Sequence, residues 1–176
     1  MSDTISLIKK CQSKSPKAFD KLYKKYSGMM FSICLRYTKN STEAEDLLQD
    51  CFIRVFNKIS DFKFCGSFEG WLRKLTITTA LNHINAKKLL LIENIGEYKI
   101  INETPAFEDI IAKMSADEIL KKIQQLPQGY RVVFNLFAIE GYKHREIAEL
   151  LNISENTSKS QYLKARKALI ELIEEK

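Results

Sequence analysis

His144-Arg145-Glu146-Ile147-Ala148-Glu149-Leu150-Leu151, then Asn152-Ile153-Ser154, then Glu155-Asn156-Thr157-Ser158-Lys159-Ser160-Gln161-Tyr162-Leu163-Lys164 is the stretch whose reading decides the fold. The spacing predicts a helix, a three-residue turn and a second helix running to about Ile173. Ala148 is small where two helices would cross closely, Leu151 and Ile153 bracket the turn, and Ser154 is suited to cap the second helix. Asn152 can adopt the left-handed conformation that glycine usually supplies. From Asn156 to Ala168 the cations Lys159, Lys164, Arg166 and Lys167 stand without an acidic residue among them. Short polar side chains at a helix start suit base edges in the major groove, and cations after them suit phosphates. A plainer reading, a helical hairpin with a solvated basic face, uses the same periodicity. Ser158 stands where a branched apolar residue commonly anchors the second helix.

Working back toward the start, Gly141 is placed to end a preceding helix that carries Val132, Val133, Leu136 and Phe137. Leu126-Pro127 separates that helix from an earlier one, which Ser115-Ala116-Asp117-Glu118 opens as a capping box with Ile119, Leu120 and Ile123 inward. The chain before it, 89–115, holds 2 Lys+Arg against 5 Asp+Glu, and it contains Gly96 and Pro105. This segment reads as an acidic tether. Residues 1–88 hold 16 Lys+Arg against 8 Asp+Glu, while 116–176 are nearly neutral. The sequence therefore predicts an all-α protein of two helical domains, 1–88 and 116–176, joined by a flexible linker at 89–115. With 6 glycines and 3 prolines in 176 residues, the turn punctuation of a many-stranded sandwich or barrel is missing.

Three helices are expected in the first domain. Ser15-Pro16 opens a run to about Tyr37 with Phe19, Leu22, Tyr23, Tyr26, Met29, Met30 and Ile33 at helical spacing. Asn40 with Glu43, or Thr42 with Glu45, caps the next, roughly Thr42 to Ile59. At 100° per residue Leu48, Cys51, Phe52, Val55 and Ile59 share an inward side, and Asp46, Gln49, Asp50, Ile53 and Asn57 form a stripe on the opposite side. An acidic and amide surface around one exposed isoleucine reads either as a solvated face or as a docking face for another protein. Ser67 caps the third helix, which passes through Phe68, Trp71, Leu72, Leu75 and Thr79 to about Ala86. The loop before it, Asp61-Phe62-Lys63-Phe64-Cys65-Gly66, sets aromatic rings beside cations. Such rings stack on unstacked bases, or they pack beneath the loop that they bound.

No run approaches the ~18 apolar residues of a membrane span, and Met-Ser-Asp-Thr lacks the layout of a secretory signal, so a cytoplasmic protein is expected. The cysteines, Cys11, Cys34, Cys51 and Cys65, form no CxxC pair, and His83 and His144 are far apart in sequence. No zinc site, disulfide framework, cofactor, small-molecule substrate or enzymatic activity is expected.

Three blocks in order, Ala18-Phe19-Asp20-Lys21-Leu22-Tyr23, Glu45-Asp46-Leu47-Leu48-Gln49-Asp50-Cys51-Phe52 and Ser67-Phe68-Glu69-Gly70-Trp71-Leu72, followed by the helix-turn-helix, resemble a bacterial RNA polymerase sigma factor of the extracytoplasmic-function group. The resemblance implies a first domain for core polymerase and the minus-10 element and a last domain for the minus-35 element. Carried over, it puts Asp46, Gln49, Asp50, Ile53 and Asn57 against the clamp helices of the polymerase's largest subunit. It makes Phe62, Lys63, Phe64, Cys65, Gly66 and Ser67 a loop that captures a flipped base, with Trp71, Lys74 and Thr78 continuing that surface. Asn156, Thr157, Lys159, Ser160 and Gln161 would face the major groove, and Lys164, Arg166 and Lys167 the backbone. Core RNA polymerase, promoter DNA and an anti-sigma factor are the implied partners. The family often has Asn at the position of Thr78, and a more polar loop. Two other classes fit parts of the pattern. A conventional helix-turn-helix regulator would bind DNA as a dimer, and a helical adaptor would use the stripe alone.

Overall fold

The computed structural model describes residues 2–86 and 114–174, and among them every regular element is a helix. The chain divides into two compact units, residues 1–87 and 88–176. The predicted linker, 89–115, lies outside the described residues except for its last two.

The first unit contains α1 (Ser2–Gln12), α2 (Pro16–Tyr37), α3 (Ser41–Lys58), a 3-10 turn (Ile59–Asp61) and α4 (Phe68–Ala86). Sequence reading did not foresee α1, which packs on α2 and buries Ile8 and Cys11. Proline alone sets the start of α2: Ser15 occupies the cap position, but its hydroxyl makes no capping bond. Asn40, not Thr42, caps α3, with the Glu43 amide donating to Asn40 Oδ1 at 2.9 Å; the Glu43 carboxylate accepts from the Lys39 amide at 3.2 Å. α2, α3 and α4 pack on one another around Leu22, Met30, Ile33, Leu47, Cys51, Val55 and Leu72, all fully buried. Truncating any of the larger aliphatic ones to alanine costs about 2–5 kcal/mol, since the space left does not collapse. Phe52, expected among them, is half-buried instead. Its ring lies at the edge of the core against Tyr23, 4.6 Å between centroids, and Leu47 fills the interior.

The second unit runs α5 (Ala116–Gln125), α6 (Gln128–Phe134), a π-helical turn (Asn135–Ile139), α7 (His144–Leu151) and α8 (Glu155–Glu174). The capping box at Ser115 is complete: the Glu118 amide donates to Ser115 Oγ and the Ser115 amide to Glu118 Oε2, at 3.3 and 2.9 Å. The Ser115 amide, and after it the Ser115 hydroxyl donating to the same oxygen at 2.7 Å, hold the Glu118 carboxyl below its ordinary range. Ile123, Leu126, Phe134, Ala165 and Leu169 form the core, with Ile119, Tyr130 and Tyr162 packed against it. Arg131 is buried and donates to the Gln124 carbonyl at 2.9 Å, so the open end of α5 is satisfied by a cation from α6. The expected helix up to Gly141 does not stay regular. After Phe134 the turn widens, the Glu140 amide bonds to the Asn135 carbonyl at 2.9 Å, and Gly141 at φ 76° closes it with the Tyr142 amide on Leu136 O. Phe137 sits in this widened turn.

Candidate polymerase and nucleic-acid interfaces

Asp46, Gln49, Asp50, Ile53 and Asn57 are all exposed on one face of α3. Ile53 is 59% exposed, the most open of the large apolar side chains among the described residues. It is not the single exposed apolar group expected, for Phe56 on the same helix and Tyr23 on α2 are open as well. Their rings are engaged. Phe56 packs on Phe19 at 4.7 Å beneath the Lys14 ammonium, 4.2 Å from its centroid, and Tyr23 packs on Phe52. On the same face, His83 Nδ1 of α4 lies 3.7 Å from Asp50 Oδ2. An apolar centre with an acidic and amide surround has the make-up of a protein-docking face.

The loop between the 3-10 turn and α4 corrects one expectation. Phe62 is only 6% exposed and lies beneath the loop, its ring 5.1 Å from Phe64, 5.1 Å from Phe68 and 5.7 Å from Trp71. Burial against three rings leaves it no free face for a base. The outer surface belongs to Phe64, 39% exposed, with Lys63, Cys65, Gly66 and Ser67 exposed around it. Phe64 has φ 58° and Gly66 φ 94°, so the loop turns twice through the left-handed region, which a bulky residue enters only at a cost. Ser67 Oγ accepts the Gly70 amide at 3.0 Å and starts α4. Trp71 is half-buried, Lys74 and Thr78 are exposed on the same face, and the Thr78 hydroxyl donates to the Lys74 carbonyl.

One contributor escaped the sequence. Gln12, at the end of α1, donates from Nε2 to the carbonyls of Ile59 and Phe62 at 3.0 and 2.9 Å, tying α1 to the root of the loop. The signal available for α1 was Ile5, Ile8 and Cys11 at helical spacing; nothing local marked Gln12.

The helix-turn-helix forms as its spacing predicts, with Asn152 left-handed at φ 55° and Ser154 Oγ accepting the Thr157 amide at 2.9 Å. Ser158, Gln161, Ala165 and Leu169 form the inner face of α8. Gln161 is therefore not a groove-facing residue: it is 2% exposed, its Oε1 without a hydrogen-bond partner. Asn156 and Lys159 are exposed, Thr157 and Ser160 half-exposed, and Lys164, Arg166 and Lys167 flank the same outer side. Lys159 pairs with Glu155 at 2.7 Å and Lys167 with Glu171 at 3.9 Å. Such i,i+4 pairs are worth only about 0.3–0.5 kcal/mol, so phosphates can displace the carboxylates.

His144 begins α7 half-buried, its Nδ1 2.9 Å from Ser158 Oγ. Burial, and then the Lys159 charge, hold the imidazole below its ordinary range, against a weaker pull from Glu155. An unfolded chain takes up this proton at about 6.5, before the folded one does. The contribution to stability is thus fully present above that pH and declines as the pH falls toward the depressed folded value. Thermal melts should show the second unit melting lower at about pH 5.5 than at about pH 7.5, with part of the difference removed by His144→Phe.

Known proteins match this arrangement. The model for sigma-70 region 2 matches residues 22–89 and that for sigma-70 region 4 matches residues 116–169. The chain is 28% identical over 173 residues to the RNA polymerase sigma-H factor of Pseudomonas aeruginosa, covering 93% of this chain and 90% of that one. It is 29% identical over 172 residues to the ECF RNA polymerase sigma factor SigW of Bacillus subtilis, covering 92% of each. Among solved structures, the sigma factor RpoE of Bartonella quintana, in complex with the anti-sigma factor NepR, has a similar fold. The TM-score is 0.53 at 17% identity, over 90% of this chain and 98% of that one.

Proposed function

The chain belongs to the extracytoplasmic-function group of RNA polymerase sigma factors, and from that premise we propose how its two units divide the work of promoter recognition. As a sigma factor it binds core RNA polymerase and directs initiation at promoters. In the proposed division the first unit docks on the polymerase through Asp46, Gln49, Asp50, Ile53 and Asn57 and engages the minus-10 element. There the loop from Lys63 to Ser67, with Trp71, Lys74 and Thr78, holds an unstacked base, at an unstacking cost of a few kcal/mol. The second unit reads the minus-35 element through Asn156, Thr157, Lys159 and Ser160, with Lys164, Arg166 and Lys167 on the phosphates. An anti-sigma factor competes for these surfaces. The work is done in the cytoplasm by binding alone, with no covalent step.

The observation that carries this reading is the open Ile53 inside its acidic and amide stripe, a docking face on a chain that also bears a DNA-type helix-turn-helix. Neither unit holds a promoter tightly by itself. Three phosphate contacts by Lys164, Arg166 and Lys167 give a slope of log affinity on log salt of about −2.7, so affinity fades at physiological ionic strength. Attachment of both units to one polymerase makes the second contact intramolecular and supplies the rest. The part of the chain that a conventional regulator would devote to sensing or dimerisation matches sigma-70 region 2 instead.

The test is reconstitution. The purified chain, mixed with core RNA polymerase freed of its own specificity subunit, should give run-off transcripts that depend on a promoter sequence. Tight DNA binding by the chain alone, without co-elution or transcript, would return the regulator reading.

A further inference from the structure

The inner face of α8 carries a hydroxyl where an apolar anchor is usual. Ser158 is wholly buried, and its Oγ lies 2.9 Å from Nδ1 of His144 at the first residue of α7. The imidazole is itself held: it stacks on Phe137, 4.2 Å between centroids and 11° from parallel, with the Tyr162 ring 5.9 Å away. Phe137 belongs to the π-helical turn, so three successive elements meet at one polar contact.

We propose that the His144–Ser158 hydrogen bond is a positioning pair that fixes the rotation of the recognition helix on its scaffold and so sets base discrimination at the upstream element. This rests on reading α8 as the recognition helix. An apolar anchor holds a helix by contact area, which changes little when the helix rotates by a few degrees or slides by a fraction of an ångström. A hydrogen bond loses strength steeply with misalignment, and a hydroxyl buried without its partner is strongly disfavoured. Ser158 stands directly between Thr157 and Lys159, two of the residues assigned to the groove, so a rotation about this point displaces their tips. Ser154 fixes only the first turn, through its bond to the Thr157 amide. The contact to His144 is a directional bond from α8 to α7.

Two substitutions separate the bond from the packing. His144→Phe keeps a ring to stack on Phe137 and removes the nitrogen that bonds Ser158. His144→Asn keeps a polar atom near the place of Nδ1 and removes the stack. Holoenzyme rebuilt from the full chain would transcribe a pool of promoter fragments randomised over the upstream element, and sequencing of the transcripts would give the ratio of preferred to average sequences. Partial unfolding lowers transcription from every sequence by the same factor and leaves that ratio unchanged, whereas a displaced helix lowers the ratio. His144→Phe and Ser158→Ala should each reduce the ratio by at least about fivefold, the lower end of what one good base contact contributes, while His144→Asn stays within about twofold of the parent. A parental ratio in His144→Phe, or an equal loss in His144→Asn, overturns the proposal. If the parent chain itself shows no upstream preference, it is the recognition-helix reading that fails.

Discussion

Ile53→Glu should abolish binding to core RNA polymerase while leaving the helical content and melting temperature of the chain unchanged. The side chain is 59% exposed and has no partner in the core of the first unit, so the substitution falls among surface changes worth within about 0.5 kcal/mol of folding stability. On binding the situation reverses. An apolar residue at the centre of an interface costs about 2 kcal/mol or more when truncated, some thirtyfold in affinity, and a carboxylate there must also be desolvated beside Asp46, Gln49 and Asp50. Co-elution with core polymerase measures the first half of the expectation, and circular dichroism with thermal melting the second. Loss of helicity alongside loss of binding would make Ile53 a core residue and remove the docking face from the account. Undiminished binding would place the polymerase contact on another face of the unit.

Phe62 and Phe64 are two residues apart and should behave in opposite ways. Phe62→Ala removes a buried ring in contact with three others, a change that costs about 3–5 kcal/mol. With about 4–8 °C lost per kcal/mol in a domain of this size, the first unit should melt on the order of 12–40 °C lower. Phe64→Ala should leave melting nearly unchanged, because the ring is exposed and alanine inherits the same left-handed backbone. Its effect should appear in strand opening. A base that no longer stacks on the ring forfeits about 1–3 kcal/mol, a loss of roughly fivefold to more than a hundredfold in productive complexes on duplex promoters. The same variant should recover on a template whose minus-10 region is already unpaired by mismatches, where no unstacking is required. Equal loss on both templates would mean that Phe64 contributes to something other than base capture.

That contrast shows where the sequence was legible. Elements governed by local rules were readable: the Ser115 capping box, the Ser154 cap, the left-handed Asn152 and the exposed stripe of α3 all follow from residues within a turn or two of one another. Phe62 and Gln161 were misplaced for the opposite reason. The partners of Phe62, namely Phe64, Phe68 and Trp71, are near in sequence but lie across a loop that no helical period spans, and the surroundings of Gln161 come from the packing of α8 on the helices before it. The inner face of α8 repeats at intervals of three and four, as a core stripe should, but two of its four members are Ser158 and Gln161. A pattern built on apolar residues passes over them and assigns the glutamine outward by its chemistry. The π-helical turn was illegible because its cause, a bond reaching five residues back from Glu140, leaves no signature in the composition of the segment. α1 was missed because it gives the core only two buried apolar residues, Ile8 and Cys11.

The bond pair from Gln12 bears on how this protein can be divided. The match to sigma-70 region 2 begins at residue 22, so a fragment cut to that boundary would start inside α2 and lose α1 entirely. Such a fragment keeps every residue assigned to polymerase and to the minus-10 element, yet the carbonyls of Ile59 and Phe62 lose their common donor. A dissection made at that boundary would therefore separate the loop before α4 from its anchor, and the resulting piece would understate what the intact first unit does.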